Sequence, residues 1–224
     1  MQGISVSADQ LAAQAGGKLL FQNLSFQANG GQTVALIGQS GAGKTTLLNL
    51  LGLLSLPSKG KILINGENAS SWPARKREKF WREKAAFLYQ DAGIIDEESL
   101  LYNVSLTKEK KSQEQALHYL KMLGLAQAHE KAAVLSGGEK RRLGLARLLY
   151  KGGRVIYADE PTASLDAANR QLVTDLLLYV TSLLLPLQLG YRKDAISLLY
   201  TLVYGKLLSK KSKSEVKRTI GRKG

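Results

Sequence analysis

An apolar run, a glycine-rich loop and a leucine-rich segment, in that order, constrain the fold of this chain more than any other feature. Residues 33–37 are predicted to form a buried strand, and residues 45–54 are rich in good helix formers. Between them, Gly38-Gln39-Ser40-Gly41-Ala42-Gly43-Lys44-Thr45 satisfies the pattern G-x-x-x-x-G-K-[ST]. A strand, such a loop and a helix together predict a phosphate-binding loop.

The residue types of this loop suit phosphate. Glycine takes turns with positive φ without strain, and these turns point successive backbone N–H groups inward. The N-terminus of the following helix adds partial positive charge. Lys44 is predicted to reach the β- and γ-phosphates of ATP, and Thr45 to hold Mg²⁺. The other nucleotide-binding residues predicted in this segment are Gly38, Gln39, Ser40, Gly41, Ala42, Gly43 and Thr46.

A second motif is an apolar strand, 154–158, that ends in two carboxylates, Asp159 and Glu160. Ligands of open α/β sheets bind at the carboxyl ends of strands, so Asp159 is predicted to orient Mg²⁺ through its water shell. Because side chains alternate along a strand, Glu160 is predicted to be free to act as the general base for the attacking water. Two acids after an apolar run are weak evidence alone, but they become strong evidence beside a phosphate-binding loop.

The pentapeptide Leu135-Ser136-Gly137-Gly138-Glu139 resembles the signature sequence of ATP-binding cassette (ABC) proteins. The resemblance covers about residues 3–175. It implies that Ser136, Gly137 and Gly138 contact ATP held by a second ABC ATPase subunit, through a helix N-terminus, in a head-to-tail dimer. Gln90 resembles the family's catalytic glutamine that touches Mg²⁺ and relays to the membrane subunit. Residues 164–166 resemble the loop that crosses to the partner.

The expected fold is α/β, a P-loop NTPase of the ABC ATPase type with a mainly parallel core sheet. An N-terminal antiparallel β part and an inserted helical subdomain, at about 91–137, complete it. We expect one domain over 1–224, with the motifs in 1–175 and an atypical basic segment at 176–224. Further predicted strands are 19–27, 61–65 and 85–89, and further predicted helices are 75–84, 112–123, 139–150 and 167–179.

The chain departs from the family's pattern in two places. Where the family has an aromatic residue that stacks on adenine, this chain has Ala15, and Phe21 is a poor substitute. The family also has a histidine that contacts the γ-phosphate, about thirty residues after Glu160. The two histidines of this chain, His118 and His129, both precede the signature. We therefore expect ATP binding with slow or absent hydrolysis.

The C-terminal segment lacks the final strands that the family has. Its apolar stretch, 176–190, precedes a tail, 205–224, with eight basic residues and one acidic residue. Two interpretations are open: a contact with a membrane or a partner, or replacement of the original domain end, for instance by a shifted reading frame. Pro186 and the absence of 18 uninterrupted apolar residues argue against a transmembrane helix.

Charge and composition limit the possible function classes. The net charge of +14 suggests polyanionic partners, but half of the excess lies in the tail. Nucleic acid is not the expected partner, because ABC proteins of that class usually carry two cassettes or long coiled-coil insertions. The absence of cysteine excludes disulfides, thiolate zinc sites and cysteine nucleophiles. No signal-peptide pattern is present at the N-terminus.

The resemblance implies an ATP-hydrolysing subunit that powers a separate integral membrane permease, with ATP and Mg²⁺ as ligands. The chain is similar to short exporter cassettes of the MacB and LolD sort, including those attributed to bacteriocin export of the lactococcin 972 type. A peptide, bacteriocin or lipid-like substrate and a cytoplasmic, peripheral location on the inner face of the cell membrane are therefore expected. An inactive cassette remnant and a ribosome- or nucleic-acid-associated ABC protein are the alternatives.

Overall fold

The computed structural model describes residues 3–89, 93–162 and 197–203, and residues 167, 170, 171, 173–175 and 177 of the region between them. The strands are β1 (Val6–Ala15), β2 (Lys18–Ala28), β3 (Thr33–Gly38), β4 (Lys59–Ile64), β5 (Glu67–Asn68), β6 (Ala85–Leu88), β7 (Val155–Ala158) and β8 (Ser197–Val203). The α-helices are α1 (Lys44–Leu51), α2 (Ala74–Glu83), α3 (Leu100–Ser105), α4 (Lys110–Met122) and α5 (Gly137–Lys151).

An antiparallel sheet carries the N-terminal part of the chain, with strand order β2-β1-β4-β5. Strand β2 confirms the prediction for 19–27, whereas β1 has no counterpart among the predicted strands. The pairing of β1 with β2 shifts register between Ala8 and Leu11 and again before Ala13 and Gln14. At the first shift β1 carries the extra residue, between Ala8 and Leu11, which reverses its alternation of inward and outward side chains and interrupts the period-two pattern that identifies a strand.

A parallel sheet with strand order β3-β8-β7-β6 forms the core. The expectation that the C-terminal segment has no recognisable strand is wrong at β8, which pairs with β3 on one side and β7 on the other. Its sequence is a short apolar run, and a run of this kind cannot be told from a helical segment by periodicity. The phosphate-loop strand and the acidic strand therefore flank β8.

Two apolar layers cover the faces of the parallel sheet. Ile156 and Ala158 of β7 belong to the cluster that includes α3, α4 and α5, whereas Val155 and Tyr157 belong to the cluster that includes α1 and the antiparallel sheet. This alternation is what a strand buried on both faces requires. The Tyr157 hydroxyl donates to the Leu51 carbonyl at 2.9 Å, and burial raises the pKa of that hydroxyl.

Helix α1 is shorter than its predicted range of 45–54. It ends at Leu51 because Gly52 caps it, and a side chain at Gly52 would have its Cβ 2.6 Å from Phe87 Cε1 on β6. Helices α3 and α4 lie within the predicted insertion at 91–137. Among the described residues, none of the helices combines the length and the apolar character needed to cross a bilayer.

Candidate nucleotide-binding site

The loop between β3 and α1 has the conformation that a phosphate-binding loop requires. Gly41 and Gly43 have φ of 75° and 85°, and the Ala42 N–H donates to the Gln39 carbonyl at 3.3 Å. Gly43 immediately precedes α1, and a Cβ there would lie 3.1 Å from Leu20 Cβ. Backbone N–H groups and a helix N-terminus are thus presented together, which suits an anion.

Lys44 lies beneath this loop with 5% of its surface exposed. Its Nζ donates to the Gly38 carbonyl at 3.2 Å and to the Gln39 carbonyl at 2.9 Å. A buried ammonium group whose partners are neutral carbonyls is costly, and phosphate oxygens at the loop would supply the missing negative charge. The predicted phosphate-binding role of Lys44 fits this surrounding.

A hydrogen bond joins the phosphate loop to the acidic strand end. Thr45 Oγ1 donates to Asp159 Oδ2 at 2.8 Å, and the Asp159 N–H donates to the Leu88 carbonyl of β6 at 2.8 Å. Asp159 has 6% of its surface exposed. A hydroxyl and a carboxylate oxygen are ligands that Mg²⁺ prefers, so the chemistry of this pair fits the metal. In the described part of the chain, histidine, cysteine, aspartate and glutamate form no metal-binding group of three or more.

Glu160 adopts a backbone conformation that is rare for its residue type. Its φ is 44°, although it is not glycine and precedes Pro161, a position that favours extended backbone. Strand β7 ends at Ala158, so strand alternation does not set the orientation of Glu160, and that part of the sequence argument is wrong. Such outliers persist where surrounding structure fixes them, and they concentrate at functional sites.

Tyr89 is a residue of this site that the sequence analysis did not single out. Its ring stacks on Phe87 with centroids 5.9 Å apart and planes at 2°. Burial, followed by the nearby charge of Asp159, raises the pKa of the Tyr89 hydroxyl. Its position at the carboxyl end of β6, next to the acidic strand, was the signal available in the sequence. Gln90 and residues 164–166 lie outside the described residues.

The signature residues begin α5. Ser136 is the N-cap: its Oγ accepts from the Glu139 N–H at 3.3 Å, and its own N–H donates to Glu139 Oε2 at 2.9 Å. This capping box fixes the first turn of the helix. An ideal Cβ on Gly137 would meet nothing within 4 Å, so the N-terminal face of α5 opens to the surroundings. Gly138 follows within the same turn.

The capping box predicts a pH effect. The Ser136 hydroxyl and N–H both donate to the Glu139 carboxylate and lower its pKa below the ordinary value of 4.5. The resulting stabilisation is present above about pH 4.5 and is lost as the pH falls through the lowered value. Glu139→Gln keeps a capping acceptor that does not titrate. We expect the wild type to lose more of its free energy of unfolding than the variant when the pH is lowered from neutral to about 3.5, as measured by urea unfolding. An equal loss in the two proteins would contradict this.

The structure describes the residues considered for the family's adenine-stacking aromatic residue and its γ-phosphate-contacting histidine. Ala15 is exposed at the end of β1, whereas Phe21 is buried beneath the phosphate loop with its Cδ1 3.3 Å from the position of a Cβ on Gly43. Phe21 therefore belongs to the core and presents no free ring face for adenine. His118 is exposed on α4, and His129 is exposed in the loop after it.

Comparison with known proteins identifies relatives over most of the chain. The family model described as ABC transporter matches residues 21–163. The macrolide export ATP-binding/permease protein MacB of Escherichia coli is 36% identical over 167 residues, which are 71% of this chain and 26% of that protein. The lipoprotein-releasing system ATP-binding protein LolD of Buchnera aphidicola is 37% identical over 170 residues, which are 73% of this chain and 75% of that protein. The chain thus spans about a quarter of the MacB relative.

Solved structures support the same fold. The dimeric structure of an ATP-binding cassette in a post-hydrolysis state, bound to ADP and Pi, superposes with a TM-score of 0.75 and 26% identity. The match covers 88% of this chain and 87% of that one. A dimeric bacterial ABC transporter cassette matches with the same TM-score and 25% identity. The predicted fold class, a P-loop NTPase with a parallel core sheet and an antiparallel β part, is confirmed.

Proposed function

Because this chain belongs to the ABC transporter family of ATP-binding domains, we propose that it is the ATP-binding and ATP-hydrolysing subunit of an ABC transporter. The observation that carries the proposal is the hydrogen bond between Thr45 Oγ1 and Asp159 Oδ2 at 2.8 Å. It brings the phosphate-binding loop and the acidic strand end together, although the two residues are 114 positions apart in the sequence. This contact supports a MgATP site whose phosphate-binding and metal-binding parts lie within one chain.

Each residue of the site has a distinct part in the proposed reaction. Lys44 and the loop N–H groups bind the β- and γ-phosphates; Thr45 and Asp159 would hold Mg²⁺, which would neutralise phosphate charge. Glu160 accepts a proton from the attacking water. The water oxygen then bonds to the γ-phosphorus, and the bond from that phosphorus to the β–γ bridging oxygen breaks. Gln90 is proposed to assist at the metal.

Turnover of ATP by the purified chain tests this proposal. We expect Mg²⁺-dependent release of inorganic phosphate that Lys44→Ala abolishes, because this substitution removes the buried cation at the phosphates. Lys140→Ala is a matched control, because Lys140 forms an ion pair with Asp96 at 2.7 Å and is not among the residues proposed to bind ATP or Mg²⁺. Equal turnover by wild type and Lys44→Ala would contradict the assignment of the phosphate site.

We propose that two such chains form a head-to-tail dimer in which Ser136, Gly137 and Gly138 of one chain cover the phosphate loop of the other. The open space at Gly137 and the helix N-terminus support this arrangement. The relative solved with ADP and Pi is itself dimeric. The absence of cysteine allows a clean test by mixing a Gln39→Cys chain with a Gly137→Cys chain. A short cross-linker with two thiol-reactive groups should join the two variants into heterodimers when MgATP is present. Cross-linked homodimers of either variant alone, at the same yield, would contradict the arrangement.

The transport partner and substrate are proposed from the relatives. Their names specify macrolide export and lipoprotein release, so we propose a separate integral membrane permease and export of a peptide, a bacteriocin or a lipid-like molecule. The chain would act at the inner face of the cell membrane. Turnover by permease and cassette in proteoliposomes is expected to rise when an acylated peptide is added. Stimulation by unrelated polar solutes alone would contradict the substrate class.

The histidine positions favour a second candidate, a cassette that binds ATP and hydrolyses it slowly or not at all. His118 and His129 are exposed in the helical part, and the residue that follows β8 in the sequence is Tyr204. We therefore propose that neither histidine takes the part of the family's histidine that contacts the γ-phosphate. Saturable MgATP binding without phosphate release would support this candidate, and turnover lost in Lys44→Ala would reject it.

A further inference from the structure

Arg141 connects α5, the helix that begins with the signature residues and is called here the signature helix, to the pair Thr45 and Asp159, called here the metal edge, in the same chain. It belongs to the second turn of α5 and has 7% of its surface exposed. Its Nη1 donates to the Tyr89 carbonyl at 3.0 Å, at the carboxyl end of β6. A buried guanidinium bonded to a backbone carbonyl is a rigid attachment, because its planar fork loses little freedom when it forms the bond.

The attachment continues to the proposed magnesium ligands. Tyr89 follows Leu88, whose carbonyl accepts the Asp159 N–H at 2.8 Å. Asp159 Oδ2 in turn accepts the Thr45 hydroxyl at 2.8 Å. Three hydrogen bonds and one peptide unit therefore link α5 to the oxygen atoms that would hold Mg²⁺. A displacement of α5 would be transmitted to these oxygens through hydrogen bonds of ordinary length that involve the buried side chains of Arg141 and Asp159.

Other basic residues of α5 make attachments elsewhere. Arg147 donates to the Asn103 carbonyl at 2.6 Å and to the Gly93 carbonyl at 2.8 Å, and Lys140 pairs with Asp96 at 2.7 Å. These bonds hold α5 within the helical part. Arg141 instead reaches across to the parallel sheet, so its substitution should affect the metal edge more than the packing of the helices.

We propose that Arg141 is a positioning residue that couples the signature helix to the metal edge. This inference rests on the proposed function. In the proposed dimer, α5 meets the nucleotide of the second chain, while Thr45 and Asp159 hold the metal of the first. Arg141 thereby links one nucleotide site to the other. Outer-shell groups of this kind tune metal affinity through the ligands that they orient.

The test uses two calorimetric titrations. In the first, Mg²⁺ is added to chains saturated with ATP; in the second, ATP is added to chains in EDTA, so that ATP affinity is measured without metal. For Arg141→Ala we expect metal-free ATP affinity within about twofold of wild type and Mg²⁺ affinity lowered about tenfold. Arg141→Lys should recover part of this loss, since an ammonium can still donate to the Tyr89 carbonyl. Lys140→Ala is the control and should bind Mg²⁺ like wild type.

The outcomes separate this inference from the proposed function. If the wild type binds ATP and Arg141→Ala has the same Mg²⁺ affinity as the wild type, the proposed role of Arg141 is wrong and the proposed nucleotide site is unaffected. Equal losses of metal-free and metal-dependent ATP binding in Arg141→Ala also overturn it, because they indicate a general structural defect. A wild type that binds no ATP overturns the proposed function and this inference with it.

Discussion

Glu160→Gln is expected to bind MgATP like the wild type and to hydrolyse it about 10²- to 10⁴-fold more slowly. The amide keeps the size of the side chain but accepts no proton from the attacking water. The backbone of Glu160 has a φ of 44°, and glutamine meets the same strain as glutamate there, so the fold should be unchanged. Single-turnover measurements on ATP-saturated protein isolate the chemical step from nucleotide exchange.

The matched control for this prediction is Glu139→Gln. The substitution is identical, but Glu139 is bonded to Ser136 at the start of α5 and acts as a cap. We expect its turnover to stay within about threefold of wild type, because glutamine also serves in a capping box. A Glu160→Gln chain that hydrolyses ATP as fast as this control would show that Glu160 is not the base.

Asn103→Leu is expected to lower the free energy of unfolding by at least about 3 kcal/mol, because it leaves several buried polar groups without a hydrogen-bond partner. Asn103 is fully buried on α3. Its Oδ1 accepts from the Ile95 N–H at 2.8 Å and from Arg147 Nη2 at 2.9 Å, and its Nδ2 donates to the carbonyls of Ile95, Glu98 and Ser99. Leucine has the same branched arrangement of side-chain heavy atoms but satisfies none of these groups. Urea unfolding measures the change.

Asn68→Leu is the control for the stability prediction. Asn68 is exposed, and its Oδ1 accepts from the Ser70 N–H at 3.2 Å. The same substitution there should cost about 1 kcal/mol or less. Similar losses for the two variants would mean that the hydrogen bonds of Asn103 contribute little beyond those of an exposed asparagine.

The local parts of the fold were predictable from the sequence. The phosphate loop lies between β3 and α1 as predicted, because glycine, lysine and threonine at fixed spacing determine the loop conformation locally. Strands β1 and β8 were not predicted. An extra residue in β1, between Ala8 and Leu11, interrupts its alternation, and the apolar run of β8 matches strand and helix equally. Its place between β3 and β7 depends on pairing with residues far away in the chain.

The sequence predicted several residues of the candidate site, but not the hydrogen bonds that join them to one another and to the rest of the protein. Thr45 and Asp159 were each assigned to the metal, and the structure joins them by a hydrogen bond. Arg141, Tyr89 and Asn103 carry no motif, and their importance follows from contacts between distant segments. Burial of an arginine or an asparagine inside a helix has no signature in a single sequence, since both residue types are usually exposed.

Calorimetric titration of the purified chain with ATP, with and without Mg²⁺, tests the central claim most directly. The structure predicts saturable binding of about one nucleotide per chain, tightened by Mg²⁺ and lost in Lys44→Ala, because the phosphate loop and the pair Thr45–Asp159 lie within one chain. Absence of binding, or binding that Lys44→Ala and removal of Mg²⁺ leave unchanged, would contradict the assignment of a MgATP site.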